Sequence, residues 1–225
     1  MPTEIVMNEK EIQVRETKIL NGIGYPDMMA SIHKIIGQPP TFYPSGLSFS
    51  SIAKEGEQKE VYVISQSPGI HPFRYRGKMF TNNKDKDLKE QVFNISLPYL
   101  HIITSWIRDA KRAEKMFFTK EPLMDINMDI FAPILPNVES SFRICLGSDF
   151  VLPNKELPNP FRTKYTLDFY MDADHNDDYD TFYNNRLFDN FEQWQEESMK
   201  NPSLWCELKF KQGIYKKFSD ILATV

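Results

Sequence analysis

The order of hydrophobic patterns along this chain predicts an α+β fold, an antiparallel β-meander with flanking helices. Three observations carry that prediction. Between residues 42 and 119 the apolar residues alternate or run together over short stretches, separated by turn-forming or charged residues, which is the pattern of strands. Apolar residues at helical spacing occur before that block and after it, so strands and helices are segregated rather than alternating as a parallel sheet requires. The composition, with 41% hydrophobic and 13% aromatic residues, supports a packed core and opposes disorder.

Each element follows in turn. Ile5, Met7, Ile12, Val14 and Ile19 alternate loosely, and Asn8-Glu9-Lys10 is the expected turn of a hairpin. Tyr25-Pro26-Asp27 opens a short helix with an apolar face of Met28, Met29, Ile32, Ile35 and Ile36, and Gly37 stops it. Residues 42–53 read as one strand. Glu55-Gly56-Glu57 turns the chain into a second, 59–66, with Val61 and Val63 on one face and Tyr62 and Ile64 on the other. Further strands are expected over 73–80, over the long apolar run 92–107 and over 116–119, with charged connections at 82–90 and 108–115.

Pro133, Pro136, Pro153, Pro158 and Pro160 make residues 131–160 a loop, because proline offers no ladder donor and fixes φ. Tyr179, Phe182, Tyr183, Leu187, Phe191 and Trp194 lie at helical spacing, with Asp178 or Asp180 as cap and Asn201-Pro202 as stop. Ile214, Phe218, Ile221 and Leu222 predict a last short helix. A chain of 225 residues suits one domain over 1–225: an N-terminal extension at 1–40, a core at 41–200 and a C-terminal extension at 201–225.

Several function classes are excluded at this level. A net charge of -4 gives no reason to expect a nucleic-acid surface. Two cysteines, Cys145 and Cys206, do not make a disulfide framework. No apolar leader opens the chain and no run of about 18 apolar residues follows, so a cytoplasmic protein without a membrane span is expected. No glycine-rich phosphate loop is present, which argues against ATP chemistry in this chain, and no cofactor is expected. His33, His71, His101 and His175 show no metal-ligand spacing among themselves or with Cys145. His101 reads as a satisfied sheet residue and Cys206, beside Trp205, as packing. A Cys-His protease pairing, whose members lie far apart in sequence, finds no local support.

The segment that carries chemistry is Leu135-Pro136-Asn137-Val138, with Cys145 eight residues after Asn137 in Arg143-Ile144-Cys145-Leu146-Gly147. A thiol that carries an acyl group needs access, a neighbour that favours thiolate and a donor for the oxyanion formed on attack. An Asn on a nearby loop can be that donor. The plain alternatives stay open: Cys145 as a small buried apolar residue between Ile144 and Leu146, and Asn137 as a turn residue after Pro136. The acidic run from Asp172 to Asp180 fails as a calcium loop, because Asp177 stands where Gly is needed and Tyr183 where Glu is needed. It also reads as a solvated helix N-terminus rich in carboxylates.

This strip resembles the active-site segment of ubiquitin-conjugating enzymes, where a His-Pro-Asn tripeptide precedes the catalytic cysteine by the same spacing. Leu135 stands at the histidine position. A bacterial branch that lacks the histidine, the PRTRC system protein B group or prokaryotic ubiquitin-conjugating family D, is similar through Leu97-Pro98-Tyr99-Leu100, Phe118-Thr119, Pro133, Asn137-Val138 and Cys145-Leu146-Gly147. The resemblance covers roughly residues 90–195 and is most specific around Cys145. It implies the ubiquitin-conjugating fold, Cys145 as nucleophile, Asn137 as oxyanion donor, and Asp177 and Asp178 as an acidic gate facing the acceptor amine. It also implies a ubiquitin-like protein as partner, a ThiF-like activating enzyme and a JAB-type peptidase. A non-catalytic binding or scaffold protein of a plasmid or phage system is the rival expectation, to which Leu135 lends support.

Overall fold

Val61 and Val63 face one hydrophobic cluster and Ile64 the opposite one, so the two-sided strand expected over 59–66 lies inside a sheet covered on both faces. The computed structural model describes residues 5–8, 11–14, 41–43, 46–52, 58–82, 90–154, 156–177 and 186–225. Among these the strands are β1 (Ile5–Asn8), β2 (Glu11–Val14), β3 (Thr41–Tyr43), β4 (Gly46–Ile52), β5 (Gln58–Gln66), β6 (Gly69–Tyr75), β7 (Gln91–Leu97), β8 (Tyr99–Ile107) and β9 (Ala110–Thr119). The helices are α1 (Asn159–Asp172), α2 (Phe191–Lys200), α3 (Leu204–Glu207) and α4 (Phe218–Leu222). The strands pair antiparallel in three sets: β1-β2, a five-stranded sheet in the order β3-β4-β5-β8-β9, and β6-β7. The class is α+β.

Prolines redraw the expected strands. The apolar run 92–107 is two strands, β7 and β8, divided at Pro98, and the strand expected over 73–80 is β6, which ends at Tyr75. Gln66 lies opposite Leu100 and Gly69 opposite Leu97, so one register runs unshifted from the β5-β8 pair into the β6-β7 pair. Pro68 and Pro98 fall opposite each other at the break. Neither can donate to a ladder, so the ladder stops there and the distal half of this long hairpin becomes a sheet of its own. The described part of the strand expected over 42–53 is two strands, β3 and β4, paired with each other.

The charged stretch 108–115 is a connection only at Arg108 and Asp109; from Ala110 onward it is β9, whose early charges disguise it. The short helix expected near 25–37, the turn at 55–57, residues 9–10 and 83–89, and residues 178–185 including Asp178 and Asp180, lie outside the described residues.

Helix α1 has no counterpart in the sequence reading. Pro160 sits in its first turn, where a missing N–H costs nothing. Its buried face carries Arg162, Thr163 and Thr166 beside Leu167, Tyr170 and Met171, while Phe161 is 60% exposed. The polar residues seat on β8: the Thr163 and Thr104 hydroxyls lie 2.7 Å apart, Trp106 Nε1 donates to Thr104 Oγ1 at 2.9 Å, and the Arg162 guanidinium rests 4.4 Å from the Trp106 ring centre.

Of the helix expected from Tyr179 to Trp194, residues 178–185 lie outside the described residues and 186–190 are not helical; α2 begins at Phe191, capped by Asn190, whose side chain accepts from Gln193 N–H at 2.7 Å. It seals the outer edge of β7. Asn94 N–H donates to Gln195 Oε1 at 2.7 Å and Ser96 N–H to Ser198 Oγ at 2.8 Å, so donors that would template another strand are occupied. On the opposite face of the large sheet, Phe218 and Ile221 of α4 close a second cluster with Ile103, Phe117, Ile130 and Phe142. The short helix expected at the end of the chain is thus present.

Candidate functional site

The strip that follows β9 hangs on that strand's outer edge. Phe118 and Phe131 exchange N–H···O bonds at 3.0 Å, and Met116 N–H donates to the Phe142 carbonyl at 2.8 Å. Between them the chain makes a narrow loop. Cys145 N–H donates to the Asn137 carbonyl at 2.7 Å, Val138 bridges Ile144, and Glu139 N–H donates to the Arg143 carbonyl at 2.8 Å. The eight-residue spacing therefore closes, and Asn137 and Cys145 face each other across the loop. Asn137 holds a left-handed φ of 61°, a conformation Asn tolerates better than most residues. Phe142 holds a φ of 69°, where a bulky residue costs about 1–2 kcal/mol. Burial of its ring, edge-on to Tyr215 at 5.2 Å, holds it there.

Two distant segments brace the loop. Tyr170, on α1, donates its hydroxyl to the Pro136 carbonyl at 2.6 Å, and burial pushes that phenol well above its ordinary pKa. Asn176 donates its backbone N–H to Asn137 Oδ1 at 3.3 Å. A backbone N–H requires an oxygen, so this bond orients the Asn137 amide. No hydrogen bond among the described residues uses its Nδ2. Asn137 is buried, yet it lines a cavity of about 480 Å³ together with half-buried Cys145 and with Arg76, Asp149, Asp172 and His175. Arg76 pairs with Asp174 at 2.5 Å across the same rim.

His175 brings no positive charge to this cavity near neutrality. Burial lowers its pKa to about 4, against the opposing pull of the Arg74 and Ala173 carbonyls. Its ring stacks on Phe73 at 4.1 Å and meets Tyr170 edge-on at 4.6 Å. Nδ1–H donates to the Arg74 carbonyl at 3.1 Å, and Nε2 has no hydrogen-bond partner among the described residues.

In the described part of the acidic run, Asp172 ends α1 and residues 173–177 run as a strap beside β6. Asp177 turns its carboxylate to the hairpin tip, where it accepts from the Tyr75 hydroxyl, from Lys78 N–H at 2.6 Å and from Met79 N–H at 3.3 Å. It is not among the residues lining the Cys145 cavity. Leu135, at the position of the absent histidine, is fully buried in the core beneath α1.

Elsewhere, Cys206 is exposed rather than packed. His101 is buried between strands with Ser65 Oγ and Thr119 Oγ1 each 2.7 Å from its ring nitrogens, and burial lowers its pKa to about 3. Among the described residues there is no group of three or more His, Cys, Asp or Glu that could hold a metal, and no helix long and apolar enough to cross a membrane.

The structure thus brings Asn137 and Cys145 together and leaves Asp177 apart from them. Sequence reasoning missed Arg76, which lines the cavity from the hairpin tip, Tyr170, which reaches the strip from a helix with an inverted pattern, and Asn176, which reaches it from the strap after that helix. Comparison with known protein families, with curated proteins and with solved structures finds no significant match.

Proposed function

We propose that Cys145 accepts an acyl group as a thioester and passes it on, in the manner of the ubiquitin-conjugating enzymes that its active strip resembles. The observation that carries this reading is the Asn137-Cys145 pairing across one loop, with the Asn137 Oδ1 engaged and its Nδ2 unengaged at a shared cavity. The order of elements supports it: an antiparallel sheet β3-β4-β5-β8-β9 with β6-β7 set apart, a proline-rich strip, then a helix against the sheet. Tyr170 and Asn176 supply polar braces to a loop that Leu135 leaves without its histidine.

In this reading the Cys145 thiolate attacks the carbonyl carbon of a ubiquitin-like protein's C-terminus, held as a thioester on a ThiF-like activating enzyme. The tetrahedral oxyanion accepts an N–H from Asn137 Nδ2, and collapse expels the activating enzyme's thiolate. An acceptor amine then attacks the thioester carbon, gives up its proton to solvent water and expels the Cys145 thiolate, leaving an amide. ATP is consumed by the activating enzyme, and a JAB-type peptidase is the expected reverse activity. The reaction is cytoplasmic. Asp149 and Asp172 line the cavity that an incoming amine must enter, whereas Asp177 does not.

A charging assay tests the reading: the protein, the activating enzyme, the ubiquitin-like protein and ATP, followed by a non-reducing gel. The expected result is a thiol-sensitive adduct that is lost in Cys145→Ala and becomes a thiol-resistant ester in Cys145→Ser. No adduct in the presence of charged activating enzyme favours the second reading, a non-catalytic binding or scaffold protein. The buried Leu135 at the histidine position is the observation on its side.

A further inference from the structure

We infer that Asp177 is a positioning residue for Asn137: it anchors the strap so that Asn176 N–H holds the Asn137 amide with Nδ2 available to the Cys145 cavity. The inference rests on the acyl-transfer reading for its consequence, but its geometry stands apart from that reading. An asparagine amide can present either end to a developing oxyanion. The nitrogen end stabilises the anion and the oxygen end repels it, so a donor that must be pre-oriented needs something to hold its oxygen. Here that holder is the Asn176 backbone N–H, and the residues on either side of it are tied down.

On the N-terminal side, His175 is tied to β6: its N–H donates to the Arg74 carbonyl at 3.1 Å, and its carbonyl accepts from Arg76 N–H at 2.7 Å. On the C-terminal side, the Asp177 carboxylate accepts from the Tyr75 hydroxyl, Lys78 N–H and Met79 N–H. Both chain neighbours of Asn176 are therefore anchored. The hairpin tip is shaped around the Asp177 carboxylate: a Cβ added at Gly77 would lie 2.3 Å from Asp177 Oδ1 and from the Tyr75 hydroxyl. An acid whose oxygens face the hairpin tip acts on the cavity through Asn176 and Asn137, not by taking a proton from an acceptor amine.

The test uses the full chain and two readouts. The first is the Asn137 side-chain NH₂ signal in nitrogen-15 NMR, assigned by its loss in Asn137→Ala. The second is acyl transfer from a benzyl thioester of a short peptide ending in Gly-Gly, followed by mass, with discharge to free lysine measured across pH. In Asp177→Asn the Asn137 signal moves toward that of an unrestrained amide. Transfer falls about tenfold at every pH with an unmoved midpoint, since misplacing a catalytic group lowers the rate without changing what titrates. Tyr75→Phe, which removes one donor to the Asp177 carboxylate, moves both readouts the same way by less, and carries the test if Asp177→Asn does not fold. An unmoved Asn137 signal overturns the inference, as does a rate profile displaced to higher pH, the mark of an acid acting on the amine. If native protein takes no acyl group from the peptide thioester, the transfer reading loses support while the NMR readout still decides the positioning role.

Discussion

In the proposed acyl transfer, Asn137 is the residue on which the chemistry turns. Asn137→Ala is expected to lower transfer by about 10²–10³-fold, the usual loss for one oxyanion donor, while Cys145 alkylation by iodoacetamide stays within a few fold. Tyr170→Phe leaves the Pro136 carbonyl buried without its donor, which costs about 1–3 kcal/mol in a urea titration. The two buried imidazoles set the acid limit. His175 titrates near 4 and His101 near 3 in the fold, against about 6.5 in the unfolded chain. Unfolding therefore takes up protons below pH 6.5. The stability that comes from keeping both rings neutral is complete above that value and is lost as pH falls toward 4 and below. For His175 it is on the order of 3 kcal/mol. Urea midpoints at pH 7.5 and 5.0 should drop accordingly, and less so in His175→Gln. At this scale the sequence is legible where the contact is local. Eight residues of chain determine that Asn137 and Cys145 can meet, but Tyr170 and Asn176 reach the strip from 34 and 39 residues away.

Elements were legible where the buried face is apolar and hidden where it is not. The strand at 59–66 shows its two faces plainly. Helix α1 buries two threonines and an arginine and exposes Phe161 and Tyr165, the reverse of the pattern that marks an amphipathic helix. No periodicity search for an apolar stripe finds it, because β8 offers Thr104 and the Trp106 face as partners. Strand ends were misplaced for a second reason, since Pro98 interrupts hydrogen bonding without interrupting hydrophobicity. The sealing of β7 by α2 was invisible because it depends on side-chain oxygens meeting backbone donors. Ser198→Ala leaves the buried Ser96 N–H without an acceptor and should cost about 1–3 kcal/mol, whereas Gln195→Ala at the exposed Asn94 should cost much less. Urea denaturation of the two variants side by side checks the contrast.

In the whole molecule, the site loop is held by both faces of the sheet. Leu135, Val138 and Ile144 enter the core beneath α1, and Phe142 enters the cluster closed by α4. The C-terminal segment is fitted to that ring: a Cβ added at Gly213 would lie 2.4 Å from Phe142 Cε1. Gly213→Ala is expected to cost about 1–3 kcal/mol through overpacking and to change the alkylation rate of Cys145, although the substituted residue lies far along the chain from the thiol. Thermal melts and timed alkylation measure the two effects.

A loop riveted through two layers cannot loosen while the body stays intact. The amide of Cys145, bonded to the Asn137 carbonyl, should exchange its hydrogen with solvent as slowly as the amides of β8. On warming, the thiol's protection and the buried indoles of Trp106 and Trp194 should be lost together. The Asn137-Cys145 strip has no melting temperature of its own.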